Sequence, residues 1–175
     1  MENKNNKIIS YIAGLIGFAM LIWIDQFTKH LAVVRLKGQD PFVLVENVFE
    51  FHYLENQGAA FGILQGKRSF FLIITIIVLI IVLYVYIKMP TDRRFHLLRV
   101  LIILIAAGAL GNMIDRFRQG YVVDFLYFKL INFPIFNVAD IYVTCSAIAL
   151  VLVVLFYYKD ADMDRFGEAM KFKRQ

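Results

Sequence analysis

The chain has 175 residues, 60% of them hydrophobic and 15% aromatic, and its formal net charge is +5. An ordinary soluble domain is excluded by so apolar a composition, and an intrachain disulfide by the single cysteine, Cys145. Between the charges lie four apolar runs, at about 8–24, 70–87, 97–114 and 138–158, each near the roughly 17–25 residues that a membrane-spanning helix needs.

In chain order, a polar start (1–7) precedes the first run. That run is long for a signal peptide, and Trp23-Ile24-Asp25-Gln26 is not a small-residue cleavage site, so a retained helix is expected. Residues 25–68 form the longest connection. Phe42-Val43-Leu44-Val45 and 48–54 are rich in β-formers, with Glu46-Asn47 as the turn of a hairpin. Phe49, Phe51 and Tyr53 alternate with Glu50 and His52, which predicts one apolar and one wet face. An isolated hairpin is marginal in water, so a platform over about 35–62 is expected to rest its aromatic face on the lipid interface. The glycine-rich stretch 55–62 reads as a loop or re-entrant turn.

The third run carries Arg99 and Asn112, and Ala107 and Gly111 give it the small-xxx-small spacing that lets another helix approach. Asn112 shares a helix face with Asp115 and with Arg116. Asp124 falls on a surface segment, 117–137, and Asp140 lies at the mouth of the fourth run, which begins near Asn137. Cys145, well inside that run, is expected to be a buried, inert thiol. The tail, 159–175, reads as a short amphipathic helix without chemistry.

Eleven of the 19 lysines and arginines lie in the two ends and the 88–99 loop, and the excess of positive charge lies entirely on that side. The positive-inside rule puts both termini in the cytoplasm. The basic excess is explained by orientation and anionic lipid, and nucleic acid is not required as a partner.

The chemistry narrows by elimination. Ser10, Ser69 and Ser146 have no glycine-flanked nucleophile setting. His30, His52 and His96 are isolated, with no metal-ligand spacing, and no phosphate loop occurs. Two carboxylates at a membrane edge, Asp124 and Asp140, remain. If they converge they share one proton, and such a pair can activate water against an amide. The residue pattern leaves other readings open. Asp140 can be a helix cap, Asp115–Arg116 a structural ion pair, and the same aspartates can serve a small proton-coupled transporter, a lipid-handling protein or a structural polar network. Against a carrier, no acid lies at mid-span and no internal repeat is visible.

Five blocks occur in order: Asp25-Gln26-x-Thr28-Lys29, Glu55-Asn56-x-Gly58-Ala59-Ala60-Phe61-Gly62, Gly108-Ala109-x-Gly111-Asn112-x-x-Asp115-Arg116, Val122-Val123-Asp124-Phe125 and Phe136-Asn137-x-Ala139-Asp140. Over about residues 23–142 they closely resemble lipoprotein signal peptidase, the bacterial type II signal peptidase. The resemblance implies an integral membrane all-α bundle of four transmembrane helices with a small extracytoplasmic β platform. One peptidase domain would occupy 1–175 of the cytoplasmic membrane, with its active site near the outer leaflet. It implies an aspartic endopeptidase, free of cofactor and metal, that cuts prolipoproteins just before a diacylglyceryl-modified cysteine. Asp124 and Asp140 match the catalytic pair. Asn56, Gly58, Asn112, Arg116 and Asn137 match positions that line the substrate pocket. Asp25 and Lys29 look like a structural polar pair at a helix end, and Asp115 like a residue that orients Arg116 or the loops. The implied partners are a lipidated precursor, membrane lipid and the cyclic peptide inhibitor globomycin. An oligomer is not required.

Overall fold

The computed structural model describes residues 4–58 and 64–171. Four of its helices are long and apolar enough to cross a membrane. Helix α1 is Lys4–Leu36, α2 Arg68–Lys88, α3 His96–Gln119 and α4 Val138–Phe156, and a fifth, α5, covers Asp160–Met170. Strands β1 (Phe42–Val45), β2 (Phe49–Asn56) and β3 (Val122–Phe128) form one antiparallel sheet in the order β1-β2-β3. The expected four-helix membrane architecture with a small β platform is therefore present. The platform's Ala59, Ala60, Phe61 and Gly62 lie outside the described residues, as do the ends 1–3 and 172–175.

Helix α1 does not stop where its apolar run stops. It continues to Leu36 because Asp25, Lys29 and Ala32, at i, i+4 and i+7, form one buried stripe facing the rest of the protein. The Asp25–Lys29 pair is thus mid-helix rather than at a helix end. The sheet rests on this extension: Val123 and Phe125 of β3 pack with Ala32, flanked by Leu36, Phe51 and Tyr53.

The predicted hairpin is present, and Asn47 at its turn has φ +59°, a left-handed conformation that asparagine tolerates. The sequence predicts a plain surface return over 117–137, whereas the structure forms the third strand there, at Val122–Phe128. That strand pairs Tyr127 with Glu50, and Lys129 just beyond it reaches the Glu50 Oε2 at 3.0 Å. Glu50 is consequently buried, and the face expected to be wet is covered there. Exposed polar alternation on β2 was a hairpin's pattern, and the added strand removed it.

Helices α3 and α4 meet closely through small residues. Ala107 is buried, a Cβ on Gly108 would collide with the Ala139 carbonyl and Val143, and one on Gly111 would collide with the Asp25 carboxylate. The absence of those side chains lets the α4 N-terminus settle against α3. At the opposite end Met89, Phe95, Leu98, Ile102 and Tyr158 form a second core. There α5 clasps the α2–α3 loop, with Arg94 to Asp162 at 2.8 Å and Arg165 to Asp92 at 2.6 Å. Cys145 is exposed on the outside of α4 rather than buried, because the inward face there is taken by Ser146. Gly108→Ala is expected to lower stability in detergent by about 1–3 kcal/mol, an overpacking effect, read as a fall in Tm. Gly17→Ala, with nothing within 4 Å of its Cβ, should leave Tm level or raise it.

Candidate active site

Asp124 sits on β3, where period-two alternation sends Val123 and Phe125 toward α1 and Asp124 to the other face. Asp140 sits in the first turn of α4. Asn137 is the N-cap of that helix: its Oδ1 accepts from the Asp140 amide at 3.0 Å, while Asp140 Oδ2 accepts from the Asn137 amide at 3.1 Å. This reciprocal capping box fixes the Asp140 carboxylate at the helix mouth. The cap reading and a functional reading of Asp140 are compatible, since one oxygen serves the cap and the other faces Asn112.

Three asparagines hold the two carboxylates. Asn56 Nδ2 donates to Asp124 Oδ2 at 2.8 Å, and Asn137 Nδ2 donates to Asp124 Oδ1 at 2.7 Å. Asn112 Nδ2 donates to Asp140 Oδ1 at 2.8 Å. Asn137 Nδ2 also donates to Asn112 Oδ1 at 3.1 Å, so its side chain links the partners of both aspartates. Both carboxylates line one cavity of about 220 Å³, together with Asn56, Gly58, Asn112, Arg116, Thr144 and the segment 133–136. The backbone of Phe136 hydrogen-bonds to Phe125 and Leu126 of β3 at 2.9–3.0 Å, which seats that segment as a wall.

Beneath the asparagines lies a buried ionic node. Lys29, 3% exposed, directs its ammonium to Asp25 Oδ2 at 3.0 Å, Asp115 Oδ2 at 2.9 Å and Asn112 Oδ1 at 2.9 Å. All three ammonium donors are thereby used. The two acids then reach outward. Asp25 Oδ1 accepts from the Ala139 amide at 3.0 Å, and Asp115 Oδ2 accepts from the Val123 amide at 3.3 Å. Those amides adjoin Asp140 and Asp124. Gln26 completes the node by donating to Asp115 Oδ1 at 2.9 Å and to the Gly111 carbonyl at 3.2 Å. Gln26 stood in the first sequence block without a role. Only the fold reveals that it bridges α1 to α3.

Asp115 forms no ion pair with Arg116 among the described residues; it orients the β3 loop instead. Arg116 donates to the Gly58 carbonyl at 2.9 Å and lies over the Phe71 ring at 4.5 Å. Gly58 is held in turn by its amide, which donates to Asn56 Oδ1 at 2.9 Å. The Phe71 contact was not legible in the sequence, because it depends on where α2 starts.

Burial is the main cause that pushes the Asp124 carboxyl up to about 7, and the neighbouring Asp140 charge adds to it; hydrogen bonds from Asn56 and Asn137 oppose the shift. A carboxyl whose folded pKa is raised contributes its stability fully below its unfolded pKa and loses it as pH rises through about 7. Unfolding in detergent is therefore expected to show Tm falling between about pH 4 and pH 7 and levelling above, and Asp124→Asn should flatten that fall. Lys29→Met would leave two buried carboxylates without their cation. It should destabilise by about 3–5 kcal/mol, measured as loss of folded protein from the membrane and a lower Tm.

The sequence profile of the Signal peptidase (SPase) II family matches residues 17–156. The chain is 43% identical over 144 residues to the lipoprotein signal peptidase of Caldanaerobacter subterraneus subsp. tengcongensis, covering 82% of this chain and 96% of that one. It is 41% identical over 148 residues to that of Staphylococcus aureus (strain JH9), covering 80% and 89%. A bacterial membrane enzyme solved by the in meso method at 2.3 Å superposes with TM-score 0.73 at 33% identity, over 93% of each chain. A second, solved at 1.9 Å, superposes with TM-score 0.70 at 35% identity, over 83% of this chain and 94% of that one. The chain belongs to the signal peptidase II family and is a multi-pass membrane protease.

Proposed function

We propose that this protein removes the signal peptide from diacylglyceryl-modified prolipoproteins by cutting the amide just before the lipidated cysteine, with Asp124 and Asp140 as an aspartic dyad. One observation carries the reading: two carboxylates from separate elements line one small cavity, and the more buried, Asp124, is pushed up to about 7. At neutral pH such a pair holds one proton between its members. The ionised carboxylate takes a proton from water as the water oxygen attacks the scissile carbonyl. The protonated one gives its proton to the carbonyl oxygen. Collapse of the tetrahedral intermediate breaks the C–N bond, and the leaving nitrogen takes a proton from the dyad. The products are a signal peptide with a new carboxylate and a lipoprotein whose cysteine carries a free amine.

The other polar residues position. Asn56 and Asn137 hold Asp124, Asn112 holds Asp140, and Gly58 and Arg116 form a rim where a substrate backbone can lie. Arg116 Nε is buried with no partner among the described residues, and it suits a substrate carbonyl. A groove that receives an extended peptide beside the dyad also suits globomycin, a cyclic peptide. Asp25, Lys29 and Asp115 are structural. No cofactor or metal takes part, one chain suffices, and residues 1–175 act as a single domain. Both termini lie in the cytoplasm and the dyad lies near the outer leaflet, at the depth where acyl chains hold a lipidated cysteine. A proton-coupled carrier is disfavoured because both aspartates and their supporting acids cluster at one end of the helices.

With purified protein and a lipidated precursor, Asp124→Asn and Asp140→Asn should each lower cleavage by about a thousandfold or more while the protein remains folded in the membrane. Retained turnover in either removes the dyad. Orientation is read in a Cys145→Ala background on intact cells with an impermeant maleimide. Asp40→Cys is expected to label and Gly167→Cys to stay unlabelled, and the opposite pattern inverts the topology.

A further inference from the structure

A second cavity shares no residue with the site above. It is an open groove of about 1000 Å³ between α1 and α3, at the end where α1 begins. Its polar end holds Ser10, Arg93, His96 and Arg99, and from there it runs past Gly14 and Gly17 to Ile24. Ser10 to Ile24 spans about 21 Å at 1.5 Å per residue, more than the roughly 15 Å depth of one leaflet.

The polar end carries uncompensated positive charge. Arg99 is 3% exposed, pinned between the Tyr11 and Tyr86 rings at 5.0 and 4.0 Å, and forms no ion pair among the described residues. Among the described residues its Nη1 makes only long contacts to the Tyr86 and Met89 carbonyls at 3.3 and 3.4 Å, and its Nη2 has no hydrogen-bond partner. Arg93 is exposed and without an ion pair among the described residues. Asp92, the one acid lining the groove among the described residues, is already engaged by Arg165 at 2.6 Å and by the Arg94 amide at 3.0 Å. A desolvated cation without a counter-ion is costly within a bilayer, and an anion at the groove's polar end would offset that cost.

We propose that this groove binds an anionic phospholipid of the cytoplasmic leaflet, with its headgroup beside Arg93 and Arg99 and one acyl chain along Gly14, Gly17 and Ile24. The leaflet assignment rests on the orientation proposed above; the binding itself does not. The signal helix of a substrate fits less well, because its positively charged start would meet the same arginines. Gly17 gives a clean probe. Nothing lies within 4 Å of a Cβ placed there, so a leucine would fill the groove without displacing the fold.

The test is native mass spectrometry of the full-length protein in neutral detergent, mixed with equal phosphatidylglycerol and phosphatidylcholine, with Tm and precursor cleavage measured in parallel. Wild type is expected to retain phosphatidylglycerol in preference. Arg93→Gln should weaken that retention about fivefold, the worth of one basic side chain near an anionic headgroup. Gly17→Leu should reduce it to the phosphatidylcholine level, with cleavage and Tm unchanged. Equal retention of both lipids by wild type would overturn the proposal, as would undiminished phosphatidylglycerol in Gly17→Leu. A raised KM in Gly17→Leu with lipid retention intact would assign the groove to the substrate instead. Lipid retention does not require turnover, so these results are independent of the dyad's.

Discussion

Lys29 holds the site together. A lysine ammonium buried among membrane-spanning helices needs all of its donors satisfied and its charge matched, and here two carboxylates and one amide oxygen do both. The two carboxylates are not ends of the network. Asp25 passes it to the α4 mouth through the Ala139 amide, and Asp115 passes it to β3 through the Val123 amide. The elements that carry Asp140 and Asp124 are thus registered to the same cation. The glycines of α3 are the complementary condition, since side chains at 108 and 111 would push α4 and the Asp25 carboxylate away.

Upon that frame the site works by desolvation. The asparagines are neutral donors, so they orient the carboxylates without supplying a full counter-charge, and burial dominates at Asp124. A full cation in their place would pull that carboxyl down and, in the proposed mechanism, abolish the shared proton. Lys29 therefore sits one shell below, touching Asp140 only through Asn112. Arg116 lines the same cavity, yet burial still dominates at Asp124, whose carboxyl stays pushed up to about 7.

Much of this was legible in the chain. The four helices follow from the length of their apolar runs, and the hairpin turn from Glu46-Asn47. Asp124 and Asp140 stood out because carboxylates at a membrane edge are costly. Other features depended on long-range contact. Asp25 ended the apolar run of α1 by composition, yet its i+4 and i+7 partners show the helix continuing, and that stripe could have been read. The third strand had a β-rich sequence in Val122–Phe128, but its pairing with β2 crosses a large sequence separation and left no local signal. Burial of Glu50 followed from that strand, and the exposure of Cys145 from the packing of α4, neither of which periodicity alone specifies.

In the proposed mechanism one proton shared by Asp124 and Asp140 in a desolvated cavity performs the cut. The pH dependence of kcat/KM for a lipidated precursor tests it most directly, because that ratio reports the ionisation of the free enzyme. The rate should fall as pH rises above about 7, where the pair surrenders its proton. A rate that stays level or climbs through about pH 9, where both carboxyls would be ionised, would contradict a shared proton.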